Sequence, residues 1–377
     1  MISIITGIIA EFNPLHLGHQ ALVSQVKAEA EACIVILSSN FTQRGSPSFT
    51  DKFSRAKMAL SAGADLVLEL PFLFACSAGQ DFARGAVSLA SHFADSLAFG
   101  METPEADVMR MLHAEDSQLY TQNLRHQLSL GASYPKAHSL ALEAACPGAG
   151  EFVSQPNNLL ALSYMREIVK GNYALDVMKV KREGDFRSKM IREDLAGNAH
   201  MMPEYTRRII AESEVSDEER LWPLLQSVLI RSRGEDLRRI YGIDEGIEGL
   251  FLKHWKQARG LGDFIGRCVC ARYTRAHIRR RLVYVLLGLV REDVRDALTE
   301  GVPYARVLGF NDRGRDILRM KREIRVITRL ADAQGQTGKY FADTEYRASQ
   351  LYELTLTHQD FARETQKPVI IHSIIHK

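Results

Sequence analysis

The chain has 377 residues, 46% of them hydrophobic and 25% charged, with a formal net charge of +2, which is the profile of a folded globular protein with room for two domains or one large domain with an appendage. That profile excludes a disordered or fibrous chain, and no uninterrupted apolar run approaches membrane-spanning length, so no membrane partner is expected. Met1 to Ala10 lacks the basic flank of a signal peptide, and Cys33, Cys76, Cys146, Cys268 and Cys270 are odd in number and scattered, which predicts reduced, structural thiols in the cytoplasm.

The first predicted element is a strand, Ile4 to Ala10, which overlaps the most informative stretch of the chain, Gly7 to Gln20 (GIIAEFNPLHLGHQ). There the apolar run breaks at Asn13-Pro14 and releases His16-Leu17-Gly18-His19 at the start of a helix predicted over His19 to Ala30. Such a turn leaves free N–H groups at a helix N-terminus, where the dipole favours an anion, so the stretch reads as a phosphate site for ATP. His16 and His19 can both donate to a phosphate as charge builds on it, and Gly18 lacks the Cβ that would keep backbone and nucleotide apart. A bare H-x-G-H is usually a pair of ordinary turn histidines; the strand, turn and helix setting favours the nucleotide.

A strand over Ala32 to Ser38, a helix over Asp51 to Ser61 and a strand over Asp65 to Leu70 come next. The polar loop between the first two offers Gln43 and Arg44, an amide and a guanidinium fork, to a carboxylate or nucleotide, with Asp51 and Lys52 at the helix start. For Asp51 the plain alternative is a helix N-cap. The pattern continues with a helix over Phe82 to Phe93, a strand over Ser96 to Gly100, helices over Glu105 to His113 and Asn158 to Lys170, and a strand over Asp176 to Arg182. This alternation predicts an α/β fold, a doubly wound parallel sheet of Rossmann type, with ligands at the carboxyl ends of the strands, where His16, Ser39 and Gly100 fall. Asn157 starts a helix after a proline; capping is its commoner use, and it is a ligand candidate here. After strand-end Arg182, a helix beginning at Arg187 or Ser188 would let the Ser188 hydroxyl, free helix N–H groups and Arg192 hold a leaving pyrophosphate.

Beyond about Gly197 helical periodicity takes over, so a boundary near Gly197 to Pro203 is expected between a doubly wound domain, 1–197, and a mainly helical one, 198–377. Charge divides the same way: Met1 to Gly100 has 6 Lys+Arg against 8 Asp+Glu, whereas Phe251 to Leu330 has 19 against 8. Arg272, Arg275, Arg279, Arg280 and Arg281 crowd into ARYTRAHIRRR with Tyr273 and His277 interleaved, and Arg313, Arg315, Arg319, Lys321, Arg322 and Arg325 follow. A solvated helix face is the plain reading, with Glu292, Asp293 and Asp296 nearby; RNA is the favoured one, because guanidinium groups answer a phosphate backbone and rings stack on unpaired bases.

Together these pieces resemble the nucleotidylyltransferase superfamily with the H-x-G-H signature and a later S-x-x-I-R element, and within it the tRNA(Met) cytidine acetate ligases. The matching segments are AEFNPLHLGHQ, SNFTQRGSPSFTDKFSRAKMAL, LVLELPFLFA, FARGAVS, AFGMET, QPNNLLALSY, RYTRAHIRRRLVYVLLG and YARVLGFNDRGRDIL. The resemblance implies an enzyme that converts acetate and ATP to acetyl-adenylate and passes the acetyl group to the exocyclic amine of the wobble cytidine of elongator tRNA(Met), giving N(4)-acetylcytidine. It implies a nucleotide loop over Gly7 to Gln20, including Phe12, Asn13 and Pro14, with Gly100, Asn157 and Arg182 as further ATP-site residues, and Mg2+ accompanying the nucleotide without a protein metal site. This chain departs from the family pattern at Ser39, at Lys189 and Met190, and at Ala271 and His277. A small-molecule adenylyltransferase would share the first half without needing the basic one, and a non-catalytic RNA-binding protein would leave the ATP-site pieces without a use. The oligomeric state is left open.

Overall fold

The structure, a computed structural model, describes residues 4–182, 184, 186–320 and 322–372; Lys321 of the basic run lies outside the described residues. Five strands come first: β1 Ile5–Ala10, β2 Ala32–Ser38, β3 Leu66–Leu70, β4 Ser96–Met101 and β5 Asp176–Lys181. They stand in the order β5-β4-β1-β2-β3, every neighbour parallel. The chain steps outward from β1 to β3 and then returns to the other side of β1 with β4. The order therefore reverses between β1 and β4, and the carboxyl ends of those two strands open a crevice, the usual ligand position in such sheets.

The two central strands explain themselves. β2 (ACIVILS) and β3 (LVLEL) are buried throughout, as parallel strands covered on both faces must be. Alternate residues divide between the faces. Cys33, Val35 and Leu37 share a core with Val23 and Val26 of the helix Leu17–Glu29 and with Phe53 and Ala56 of the helix Lys52–Ser61. Ile34 and Ile36 join Phe82 and Val87 of the helix Gly79–Ser91 and Leu162 of the helix Pro156–Lys170. Between Glu115 and Pro156, where the apolar pattern predicts no element, the chain forms the helices Gln118–Ser129, Tyr134–Ala145 and Ala149–Ser154.

The second half is mainly helical, but the sheet runs across the expected boundary near Gly197. β6, Ala305–Phe310, pairs antiparallel with β3, and the two-residue strands β7, Val326–Ile327, and β8, Ile370–Ile371, pair with β6. Gly197 to Pro203 thus marks a change of composition and not a gap between two cores, because β6 covers what would otherwise be the open edge of β3.

A buried charge cluster locks that seam. Lys52 bonds Glu345 at 2.8 Å, pairs with Glu364 at 3.0 Å and also bonds Glu69 of β3; Arg306 of β6 bonds Glu69 at 2.9 Å and also Glu364. All five side chains are at most 3% exposed. Lys52, expected beside a nucleotide or carboxylate, is instead an interior cation: burial alone would lower its pKa, but Glu345, Glu364 and Glu69 outweigh this and raise it. Three carboxylates face two cations, and burial together with repulsion from Glu69 pushes Glu345 up to about 8. The cluster is neutral with one proton on Glu345.

Candidate active site

The crevice is built from four segments that the sequence keeps far apart. β1 ends at Ala10 and the chain turns through Phe12, in the left-handed region at φ 45°, and a cis Asn13–Pro14 peptide into the helix Leu17–Glu29. His16 is the N-cap of that helix. Its Nδ1 accepts the His19 N–H and the Nδ1 of His19 accepts the His16 N–H, both at 3.3 Å, a reciprocal cap made by two imidazoles. The rings stack with centroids 3.6 Å apart. A neutral imidazole that accepts at Nδ1 carries its proton on Nε2, so each ring keeps one N–H for an oxygen ligand. Burial, reinforced by Arg182, pushes His16 down to about 4; burial, His16 and Arg182 hold His19 well below the ordinary value. Both are therefore neutral donors at physiological pH.

Gly18 serves this geometry. A Cβ there would stand 3.2 Å from Cε1 and Nδ1 of His16 and 3.4 Å from the Phe186 ring. Gly7 lies earlier, inside β1 opposite Ile34 and Leu97, and belongs to the strand that carries the loop. Gln20 donates its backbone N–H to the His16 carbonyl at 3.0 Å.

From the other side of the switch point come Gly100, Asn157 and Arg182. The missing Cβ of Gly100 leaves room for the Arg182 stem, 3.1 Å from where it would be. Asn157 donates to Glu102 at 2.6 Å and Arg182 approaches the same carboxylate at 3.7 Å. Glu102, just past β4, was not singled out from the sequence, yet it joins both ligand candidates. It also accepts the Asn158 N–H at 3.0 Å, and buried Asn158 caps Glu102 and Thr103 in return.

Ser188 opens a helix, Ser188–Glu193, as expected, and turns its hydroxyl onto the Pro14 carbonyl at 3.1 Å; Arg192 donates to the Asn13 carbonyl. The S-x-x-I-R element is thus clamped onto the histidine loop. Two further residues were missed. Glu11 accepts the Gln43 N–H at 2.7 Å. Arg55, fully buried, donates to the carbonyls of Thr50, Glu11 and Ser39 and to the Ser38 hydroxyl, tying the ends of β1 and β2 together. An arginine one turn before Ala59, in a helix buried on nearly every side, was the available signal, since only a fully bonded guanidinium is tolerated there. Asp51 takes the plain alternative, capping Phe53 and Ser54 at 2.8 and 3.0 Å.

The basic stretch divides. Arg275 is exposed, Arg272 is exposed beside Glu245, and Arg279 pairs with Glu218. Tyr273 and Arg280 turn inward, 4% and 8% exposed: the Tyr273 hydroxyl bonds the Glu245 carbonyl at 2.8 Å and Arg280 donates to the Gln43 carbonyl at 2.9 Å. These two were expected on an RNA surface. The helix Arg275–Leu287 is buried on two faces, so an arginine-rich run on it is not all surface. His277 is held at about 3 by burial and by Arg281 and Arg280.

Residues 4–367 match the family model described as HIGH Nucleotidyl Transferase. A tRNA(Met) cytidine acetate ligase of Clostridium perfringens is 30% identical over 92% of this chain and 94% of its own length, and one of Staphylococcus aureus is 30% identical with the same coverage. Among solved structures, Thermotoga maritima TmcAL bound with alpha-thio ATP superposes with a TM-score of 0.89 at 25% identity, covering 98% of this chain and all of the other.

Proposed function

The chain belongs to the tRNA(Met) cytidine acetate ligase family of the HIGH nucleotidyl transferases, and from that membership we propose that it activates acetate with ATP and acetylates the wobble cytidine of elongator tRNA(Met). The observation that carries this reading is the pair of neutral, mutually capped imidazoles at the switch point of the sheet.

In the first step an acetate oxygen attacks the α-phosphorus, a new P–O bond forms, and the bond to pyrophosphate breaks. The Nε2–H groups of His16 and His19 and the helix N–H groups answer the charge that grows on the α-phosphate oxygens. Arg192, Ser188 and Arg182 border the same crevice, where pyrophosphate would depart. In the second step the exocyclic amine of cytidine attacks the acetyl carbonyl, AMP leaves, and the amine gives up a proton. No covalent enzyme intermediate is needed.

Among the described residues no group of three His, Cys, Asp or Glu side chains is arranged to hold a metal ion. Mg2+ would arrive on the triphosphate, which it binds with much of its water retained. Exposed Arg272 and Arg275, with Arg279, form the proposed tRNA side, while nucleotide chemistry belongs to residues 1–197. No helix among the described residues is long and apolar enough to cross a membrane, and the cytoplasm, where tRNA is available, is the proposed place of work. The test is mass spectrometry of tRNA nucleosides after incubation with ATP and isotopically labelled acetate. Label is expected in N(4)-acetylcytidine; labelled acetate that never enters cytidine overturns the reading.

A further inference from the structure

Arg280 stands in the most basic stretch of the chain, yet it is buried and its Nε has no hydrogen-bond partner. Burying a guanidinium with incomplete bonding costs stability that an apolar side chain of similar size would not. It lies four residues before Tyr284 and so on the same helix face; the Tyr284 hydroxyl reaches the Cys76 carbonyl while Arg280 reaches the Gln43 carbonyl at 2.9 Å. That face of the helix is therefore set against the nucleotide half.

The segment it holds is a tight turn. Gly45 N–H donates to Thr42 at 2.8 Å and Thr42 N–H to Ser46 at 2.9 Å. From the opposite side Glu11, next to the histidine loop, takes the Gln43 N–H. Gly45 has φ +79°, and a Cβ there would lie 2.4 Å from the Arg280 nitrogen and 2.8 Å from the Arg279 carbonyl carbon. The turn thus sits backbone to backbone on the helix, and only glycine fits the seat. Arg44 is exposed at the tip, one residue after the Gln43 N–H that Glu11 holds beside the histidine loop.

We propose that Arg280 is a positioning residue: gripping the Thr42–Gly45 turn from inside the protein, it sets Arg44 beside the histidine loop, where the Arg44 guanidinium receives the acetate carboxylate. This rests on the proposed acetate activation. Arg44 supplies the fork and Arg280 never touches the substrate.

The experiment is acetate-dependent exchange of labelled pyrophosphate into ATP, without tRNA, alongside calorimetric binding of a non-hydrolysable ATP analogue. Arg280→Met should raise the KM for acetate about tenfold, because misplacement of a substrate-holding group is costly, and leave the analogue's Kd within about twofold. Arg280→Lys, which keeps a donor, should recover most of the loss. In an Arg44→Ala background, Arg280→Met should add less than about twofold, since one residue acts through the other. An unchanged acetate KM in Arg280→Met, or full additivity with Arg44→Ala, overturns the proposal, as does a loss of ATP affinity in step with the unfolding midpoint. Should Arg280→Met fail to fold, Arg44→Ala alone must raise the acetate KM, and an unchanged value overturns it equally. Absence of acetate-dependent exchange in the unaltered protein would instead defeat the proposed function.

Discussion

The rings of His16 and His19 lie 3.6 Å apart and within 14° of parallel, each accepting at Nδ1 the backbone N–H of the other. Neither ring can leave without freeing a backbone donor of its partner.

The pair should therefore fail as a unit. His16→Ala or His19→Ala should lower acetate-dependent pyrophosphate exchange by about two orders of magnitude, and the double variant should be scarcely worse than either single one. Loss of the cap should also cost about 1 kcal/mol of stability. Exchange kinetics and urea denaturation of the three variants check both; additive losses in rate would mean the rings act independently.

Their protonation sets the pH response. His16 is held at about 4 and His19 well below its ordinary value by burial, so the unfolded chain binds the extra protons first. The stability each neutral ring lends is complete above about pH 6.5 and is lost on acidification below it, for His16 as pH falls toward 4. The exchange rate should accordingly show no histidine inflection between pH 6 and 8. A rise in rate with a midpoint near 6.5 would show that one ring titrates in the usual range.

Glu345 gives the opposite slope. With its pKa raised to about 8, the folded state holds a proton that the unfolded state has lost, so stability should fall as pH rises from about 4.5 to 8 and level off beyond. Glu345→Gln should flatten this segment of the curve. Lys52→Met, which leaves three buried carboxylates facing only Arg306, should cost about 3–5 kcal/mol. Chemical denaturation across pH 5 to 9 measures both, and an unaltered slope in Glu345→Gln would place the proton elsewhere in the cluster.

At the exposed start of the helix Arg275–Leu287, Arg272→Ala and Arg275→Ala should each reduce the slope of log tRNA affinity against log salt by about one unit at most. Exchange without tRNA should continue. Filter binding at several salt concentrations, run beside the exchange assay, decides it; unchanged affinity and slope would move the tRNA surface away from this helix.

Local chemistry was legible in the sequence and distant chemistry was not. The strand, turn and helix around His16 and Gly18 follow from apolar pattern and turn residues, and β2 was bounded correctly at both ends because Glu31 and the polar pair Ser39-Asn40 flank a solid apolar run. Lys52 was misjudged because its partners Glu345 and Glu364 lie far along the chain, and no periodicity records a pairing across such a distance. β6 passed as part of a helical half, since ARVLGF is short and buried and its partner strand is β3. Arg280 was read with its neighbours as surface charge; its spacing from Tyr284 and Leu287, both buried, was the sign that this face turns inward. Glu11 and Glu102 stood beside recognised residues, and a single carboxylate after a strand carries no pattern to mark it.

The antiparallel strand β6 also sets an order on biosynthesis. During translation β1 to β5 emerge first, while the free margin of β3 must wait for residues 305–310. At ribosomal speeds of about 5–20 residues per second that interval is on the order of tens of seconds. A nascent sheet with one naked margin, and with Glu69 still lacking Arg306, is exposed for that time to strand pairing with neighbouring chains. A chain that stopped before residue 305 would keep that margin of β3 open for good, and its solubility is expected to suffer accordingly.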